Sequence, residues 1–177
     1  MKLFKKLAAA ALAAVLALSM VGCGAGGTGS ALDLKNEVLN YIQDDYGADH
    51  KVATHKTAMD AAAAKLIENA AADEAAKDDN VTVKELLRNN GTGNYIAIFM
   101  PYQMSTELMQ QVYIGNMRGS LDTAIRNVAN DENFNRYDTM VKIGNPKISV
   151  DDSIEIGAAT GKIKDKNYLV LLVKKAA

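Results

Sequence analysis

At 177 residues, with 49% apolar side chains, the chain is sized for one domain that buries its own core. A formal net charge of −1 leaves no general attraction for nucleic acid or anionic lipid. A single cysteine, Cys23, excludes a disulfide scaffold and any zinc site built on several thiolates.

Residues 1–22 read as an export leader. Lys2, Lys5 and Lys6 form a positive start, and Leu7 to Leu18 is apolar but shorter than the roughly 20 residues of a lasting membrane helix. The leader takes three lysines with it, so the remainder is more acidic still. Val21-Gly22-Cys23 then resembles the lipobox of bacterial lipoprotein signals, with Met20 where a leucine is usual. That resemblance implies cleavage before Cys23 and a diacylglyceryl thioether on its sulfur. One acyl chain holds a protein only marginally and two hold it stably. The expected location is the extracytoplasmic face of a cell membrane or outer membrane. Gly24 follows the cysteine, so the aspartate that favours inner-membrane retention is absent. Residues 23–30, Cys-Gly-Ala-Gly-Gly-Thr-Gly-Ser, read as the lipidated cysteine and a flexible linker, and residues 31–177 as the domain it carries.

Ser30 and Asp33 have capping-box spacing and open a first helix, with Leu34, Val38, Tyr41 and Ile42 on one face. Thr57 and Asp60 have the same spacing and open a second, along which Met59, Ala62, Ala63, Leu66, Ile67, Ala70 and Ala71 recur at helical intervals up to Asp78-Asp79-Asn80. A short helix follows, with Thr82 and Glu85 as cap partners and Asn90-Gly91 as its stop. Asn94 to Met100 is a strand that is apolar throughout, which predicts cover on both faces. Ser105 opens a helix that carries Leu108, Met109 and Val112 and that Gly115 and Gly119 interrupt, and Ser120 starts a further set of turns through Leu121, Ile125 and Val128. Ser153 to Ala159 and Asn167 to Val173 close the chain as a hairpin through the polar stretch 161–166. This order predicts an α/β fold, a three-layer α–β–α sandwich with a small, mainly antiparallel sheet.

The order of elements, with Gly93-Asn94-Tyr95-Ile96-Ala97, Ser120-Leu-Asp-Thr123, and Ile154 to Ala158 followed by Tyr168 to Val173, resembles the CAP superfamily of cysteine-rich secretory and pathogenesis-related proteins. In that family these strings occupy a strand, a helix and a terminal hairpin around a His/Glu cleft. Here the cleft acid falls on Asn94, one histidine on Thr123 and the other on Asp78-Asp79-Asn80. The resemblance therefore implies a member without the metal-binding cluster.

Other constellations read as structural. His50 and His55, with Asp49, have no third ligand at fixed spacing and read as solvated loop residues. Asp131, Asn133 and Asn135 begin like a calcium loop, but Arg136 and Lys142 stand where glycine and glutamate are needed, which leaves a polar turn. Met100, Met104, Met109 and Met117 lack the spacing of a copper site and read as packing. Ser120 is not in a nucleophile elbow, and an acylated Cys23 is no nucleophile. No cofactor is expected. The stretch Asn89 to Asn94, with Tyr95, Tyr102 and Ser120, is the expected ligand contact, since tyrosine offers area with a hydroxyl handle. The composite expectation is a non-catalytic module that binds a peptide, a glycan or an envelope protein. The alternative is an envelope hydrolase or metal-dependent enzyme, which requires a histidine brought against an acid by the fold.

Overall fold

Uninterrupted apolar strands demand cover on both faces, and the computed structural model supplies it. It describes residues 31–46, 51–103 and 107–177. The expectations for the leader, Cys23, the linker, Ser30, Asp49, His50, Met104 and Ser105 lie outside these residues, as do those for the side chains of Asp33 and Leu108.

The elements run α1 (Ala31–Tyr46), β1 (Ala53–His55), α2 (Thr57–Ala72), a 3-10 turn (Glu74–Lys77), α3 (Val83–Asn90), β2 (Tyr95–Pro101), α4 (Glu107–Asn127), α5 (Asp131–Asn135), β3 (Met140–Ile143), β4 (Ile154–Ile163) and β5 (Lys166–Lys175). The five strands lie in the order β1-β4-β5-β2-β3. Only β1 and β4 pair in parallel, and the other three pairings are antiparallel.

Alternate strand residues feed two cores. Ile96 and Ile98 of β2, Ile154, Ile156 and Ala158 of β4, and Leu169, Leu171 and Val173 of β5 meet Leu34, Val38 and Ile42 of α1 and Met117, Leu121 and Ile125 of α4. Ala97, Phe99, Val170 and Leu172 point the other way, onto Met59, Ala63, Leu66 and Ala70 of α2 and Leu86 and Leu87 of α3. The period-two geometry of a strand thus splits each apolar run between two layers of helix. The result is the α–β–α sandwich with a mainly antiparallel sheet.

Several local expectations change. α4 is one continuous helix of 21 residues rather than two. Gly115 and Gly119 lie on its outer side, where an added Cβ would meet nothing within 4 Å. The buried stripe Ile114, Met117, Leu121, Ala124, Ile125 and Val128 holds the helix together across them. α2 begins without a capping box: Lys56 is the N-cap residue and its side chain makes no cap hydrogen bond. It also ends earlier, at Asp73, and the 3-10 turn follows before Asp78. The box of Thr82 with Glu85 does form. Tyr41 and, on α4, Val112 are exposed, as is Ala71 near the end of α2, whereas Leu39 and Tyr46 join the core. The closing hairpin is tighter than expected, because Ile163 pairs with Lys166 and only Lys164 and Asp165 turn the chain. Asp131 to Asn135 is a turn of helix capped by Asn130, not a plain polar turn.

Candidate functional site

The structure distributes the predicted contact residues. Asn94 precedes β2, and its Oδ1 accepts a hydrogen bond from the Asn145 N–H at 2.8 Å. This ties β2 to the turn after β3, where Gly144 has φ +63 and an added Cβ would strike the Gly93 carbonyl. Tyr95 is half-buried against the core under α2 and α3. Tyr102 follows β2 at its other end, buried in the core under α1 and α4, with its ring edge-on to Tyr113 at 6.5 Å. Burial pushes its phenol up, against a hydrogen bond from Thr160. Tyr95 and Tyr102 are therefore separated by the length of a strand, about 20 Å, and lie on opposite faces of the sheet. Ser120 is half-buried in the middle of α4. These four residues do not surround one space.

Asn145, the residue that Asn94 holds, lines a groove of about 490 Å³, although Asn94 itself does not. Its walls include Val128, Lys142, Pro146, Lys147, Asp152 and Lys175. The Lys142 ammonium donates to the Val128 carbonyl at 2.7 Å and to the Asp131 carboxylate, and lies 5.2 Å from the centre of the Phe134 ring. Lys175 Nζ lies 2.6 Å from Asp152 Oδ1. That ammonium, with the Ser149 N–H, holds the Asp152 carboxyl below its ordinary range. Lys147 is exposed on the rim. A polar groove with charges of both signs suits a ligand that itself carries hydrogen-bonding groups, such as a peptide backbone or a sugar. A second cleft, of about 600 Å³, lies at the opposite end of the sheet between the end of α2 and the hairpin, and Asp73, Lys77, Lys162 and Tyr168 line it.

The most connected charged group is Asp60, which sequence reasoning assigned only to a helix cap. Its Oδ2 lies 3.0 Å from Lys35 Nζ and 2.9 Å from His55 Nε2, and its Oδ1 accepts the Ala158 N–H at 2.8 Å. One carboxylate thereby joins α1, β1, α2 and β4. Close approach makes this possible: a Cβ on Gly157 would fall 2.6 Å from the Asp60 backbone N. Burial raises the Asp60 carboxyl, but the Ala158 N–H, Lys35 and His55 together outweigh it and hold the group below its ordinary range. His55 is thus brought against an acid, as the hydrolase alternative requires. Among the described residues no serine, threonine or thiol side chain hydrogen-bonds to the His55 ring. Nor does any group of three His, Cys, Asp or Glu among them have the geometry to hold a metal ion.

The remaining constellations are structural. Arg118 pairs with Asp45 and Asp122, and its guanidinium lies 6.0 Å from the centre of the Tyr46 ring. The Tyr46 hydroxyl donates to the Asp152 carbonyl at 3.0 Å. Met100 and Met117 fill the core under α1 and α4, while Met109 is 37% exposed.

Comparison with known proteins gave no match to any family model, curated protein or solved structure. The three strings that resemble the CAP superfamily fall on β2 with its lead-in, on α4, and on β4 with β5. No helix among the described residues is long and apolar enough to cross a membrane.

Proposed function

We propose that this chain is a lipid-anchored extracytoplasmic lipoprotein whose domain binds rather than catalyses. The observation that carries the reading is the position of the only thiol, at residue 23, directly after a basic and apolar leader. The anchor supplies membrane attachment through two acyl chains. The domain presents the groove between Asn145 and Lys175 to a peptide, a glycan or another envelope protein. The likeness to the CAP superfamily fits this reading, since its His/Glu cleft positions hold Asn94, Thr123 and Asp78-Asp79-Asn80 here.

Binding is favoured over hydrolysis by the way His55 is engaged. Its Asp60 partner is shared with Lys35 and the Ala158 N–H, which makes the carboxylate a joint between elements rather than the orienting acid of a nucleophile–base pair.

The test is fractionation of cells expressing the full chain. The protein is expected in the membrane fraction, extractable by detergent and not by salt. Cys23→Ala is expected to lose that attachment. A Cys23→Ala protein that stays in the membrane fraction to the same extent contradicts the anchor.

A further inference from the structure

The direction of α1 against β4 fixes which end of the domain its first residue, Ala31, lies toward. Lys35, in the second turn of α1, reaches Asp60, whose other oxygen receives the Ala158 N–H in the middle of β4. Tyr46, the last residue of α1, reaches the Asp152 carbonyl just before β4 begins. α1 therefore runs antiparallel to β4, and its first residue, Ala31, lies toward the β4–β5 hairpin. From Ala158 the strand continues through Ile163 before it turns, about 16 Å farther in the same direction. From Lys35 back to Ala31 the helix covers only about 6 Å. The hairpin tip thus projects past the point where the chain leaves the domain toward Cys23.

The tip carries Lys162, Lys164 and Lys166, with Asp165 at the turn. Lys164 Nζ donates to the Asp78 carbonyl at 2.7 Å, and no ion pair engages Lys162 or Lys166 among the described residues. Asp78, Asp79 and the paired Glu74 and Lys77 stand beside it on the neighbouring loop and 3-10 turn. The hairpin itself carries three ammonium groups to the one carboxylate of Asp165, and the acids beside it belong to the neighbouring loop and turn.

We propose that this hairpin tip is the membrane-contacting surface of the domain, with Lys162, Lys164 and Lys166 against the phosphates of lipid headgroups. The inference rests on the lipoprotein reading, because the acyl chains supply the affinity and the lysines only the orientation. The groove at Asn145 to Lys175 lies at the other end of the sheet and is left facing away from the bilayer, open to a partner.

The test uses the full-length lipidated protein in vesicles of phosphatidylcholine with phosphatidylglycerol. With Cys23 acylated, a new cysteine is the only reactive thiol. Lys164→Cys places it at the tip, and Lys147→Cys places it on the exposed rim of the far groove. Reaction with a charged, membrane-impermeant maleimide is compared with the same substitutions in an unanchored Cys23→Ala protein. Anchoring is expected to slow the tip thiol at least about fivefold and to leave the rim thiol within about twofold, with the tip recovering in high salt as the lysine contacts are screened. A protein that floats with the vesicles but shows equal rates at both positions overturns this orientation alone. A protein that does not float with them overturns the anchor reading, and the orientation with it.

Discussion

Asp60 shows how one side chain decides the relation between four elements. Its carboxylate satisfies a strand N–H that would otherwise be left without a partner, and it pairs with Lys35 and His55 while only 19% exposed. Removing it as Asp60→Ala is expected to cost about 1–3 kcal/mol, the range for leaving a part-buried donor and its other partners without their acceptor. The pH dependence follows from the direction of its shift. The folded carboxyl titrates below the unfolded value of about 3.9, so its contribution is present above that value and is lost as pH falls through the lower, folded one. In urea unfolding, the stability gap between the native chain and Asp60→Asn is expected to close as pH falls below about 3.9. A gap that widened in acid would contradict the assignment. Nothing in the sequence marked this residue for the role. Thr57 and Asp60 have the spacing of a capping box, and the competing use of Asp60 appears only once Gly157 lets β4 approach the first turn of α2. Asn94 was legible as special, but what it holds, the Asn145 N–H, lies 51 residues away. Tyr95 and Tyr102 are close in the chain and far apart in space for a simple reason, the extended strand between them.

At the level of elements, spacing was most legible in α2, β2 and β5. The faces of α2 and the apolar runs of β2 and β5 all bury as their spacing implies, because each places several residues at once in a core. Short pieces escaped for the opposite reason. β1 has three residues and β3 four, too few to establish alternation, and both exist by pairing with longer neighbours, β4 and β2. The break expected in α4 came from weighing glycine propensity above packing. Glycine costs a helix interior about 0.5–1 kcal/mol relative to alanine, and the six buried residues of that helix and its end outweigh two such penalties. Since both glycines face open space, Gly115→Ala and Gly119→Ala are each expected to stabilise the domain by about that amount, read as a higher midpoint in thermal unfolding. A loss of stability from either would mean that the outer side of α4 is more crowded than its geometry shows.

At the scale of the whole molecule, the two kinds of information came from different parts of the chain. The fold was legible from residues 31–177, through amphipathic spacing and strands covered on both faces. The functional reading rests on residues 1–30, where a charge pattern, an apolar run and one thiol imply an address and an anchor. A ligand is far less legible, because a groove such as that at Asn145 to Lys175 draws residues from five separate stretches that no local pattern joins. The proposed orientation links the two parts: with an anchor before α1 and the hairpin tip toward the bilayer, the groove would face outward. The measurement that tests the central claim most directly is the mass of the amino-terminal peptide of the protein purified from membranes. The account predicts a chain that begins at Cys23 and carries a diacylglyceryl group on its sulfur. A chain that keeps its leader, or begins elsewhere with Cys23 unmodified, would contradict it.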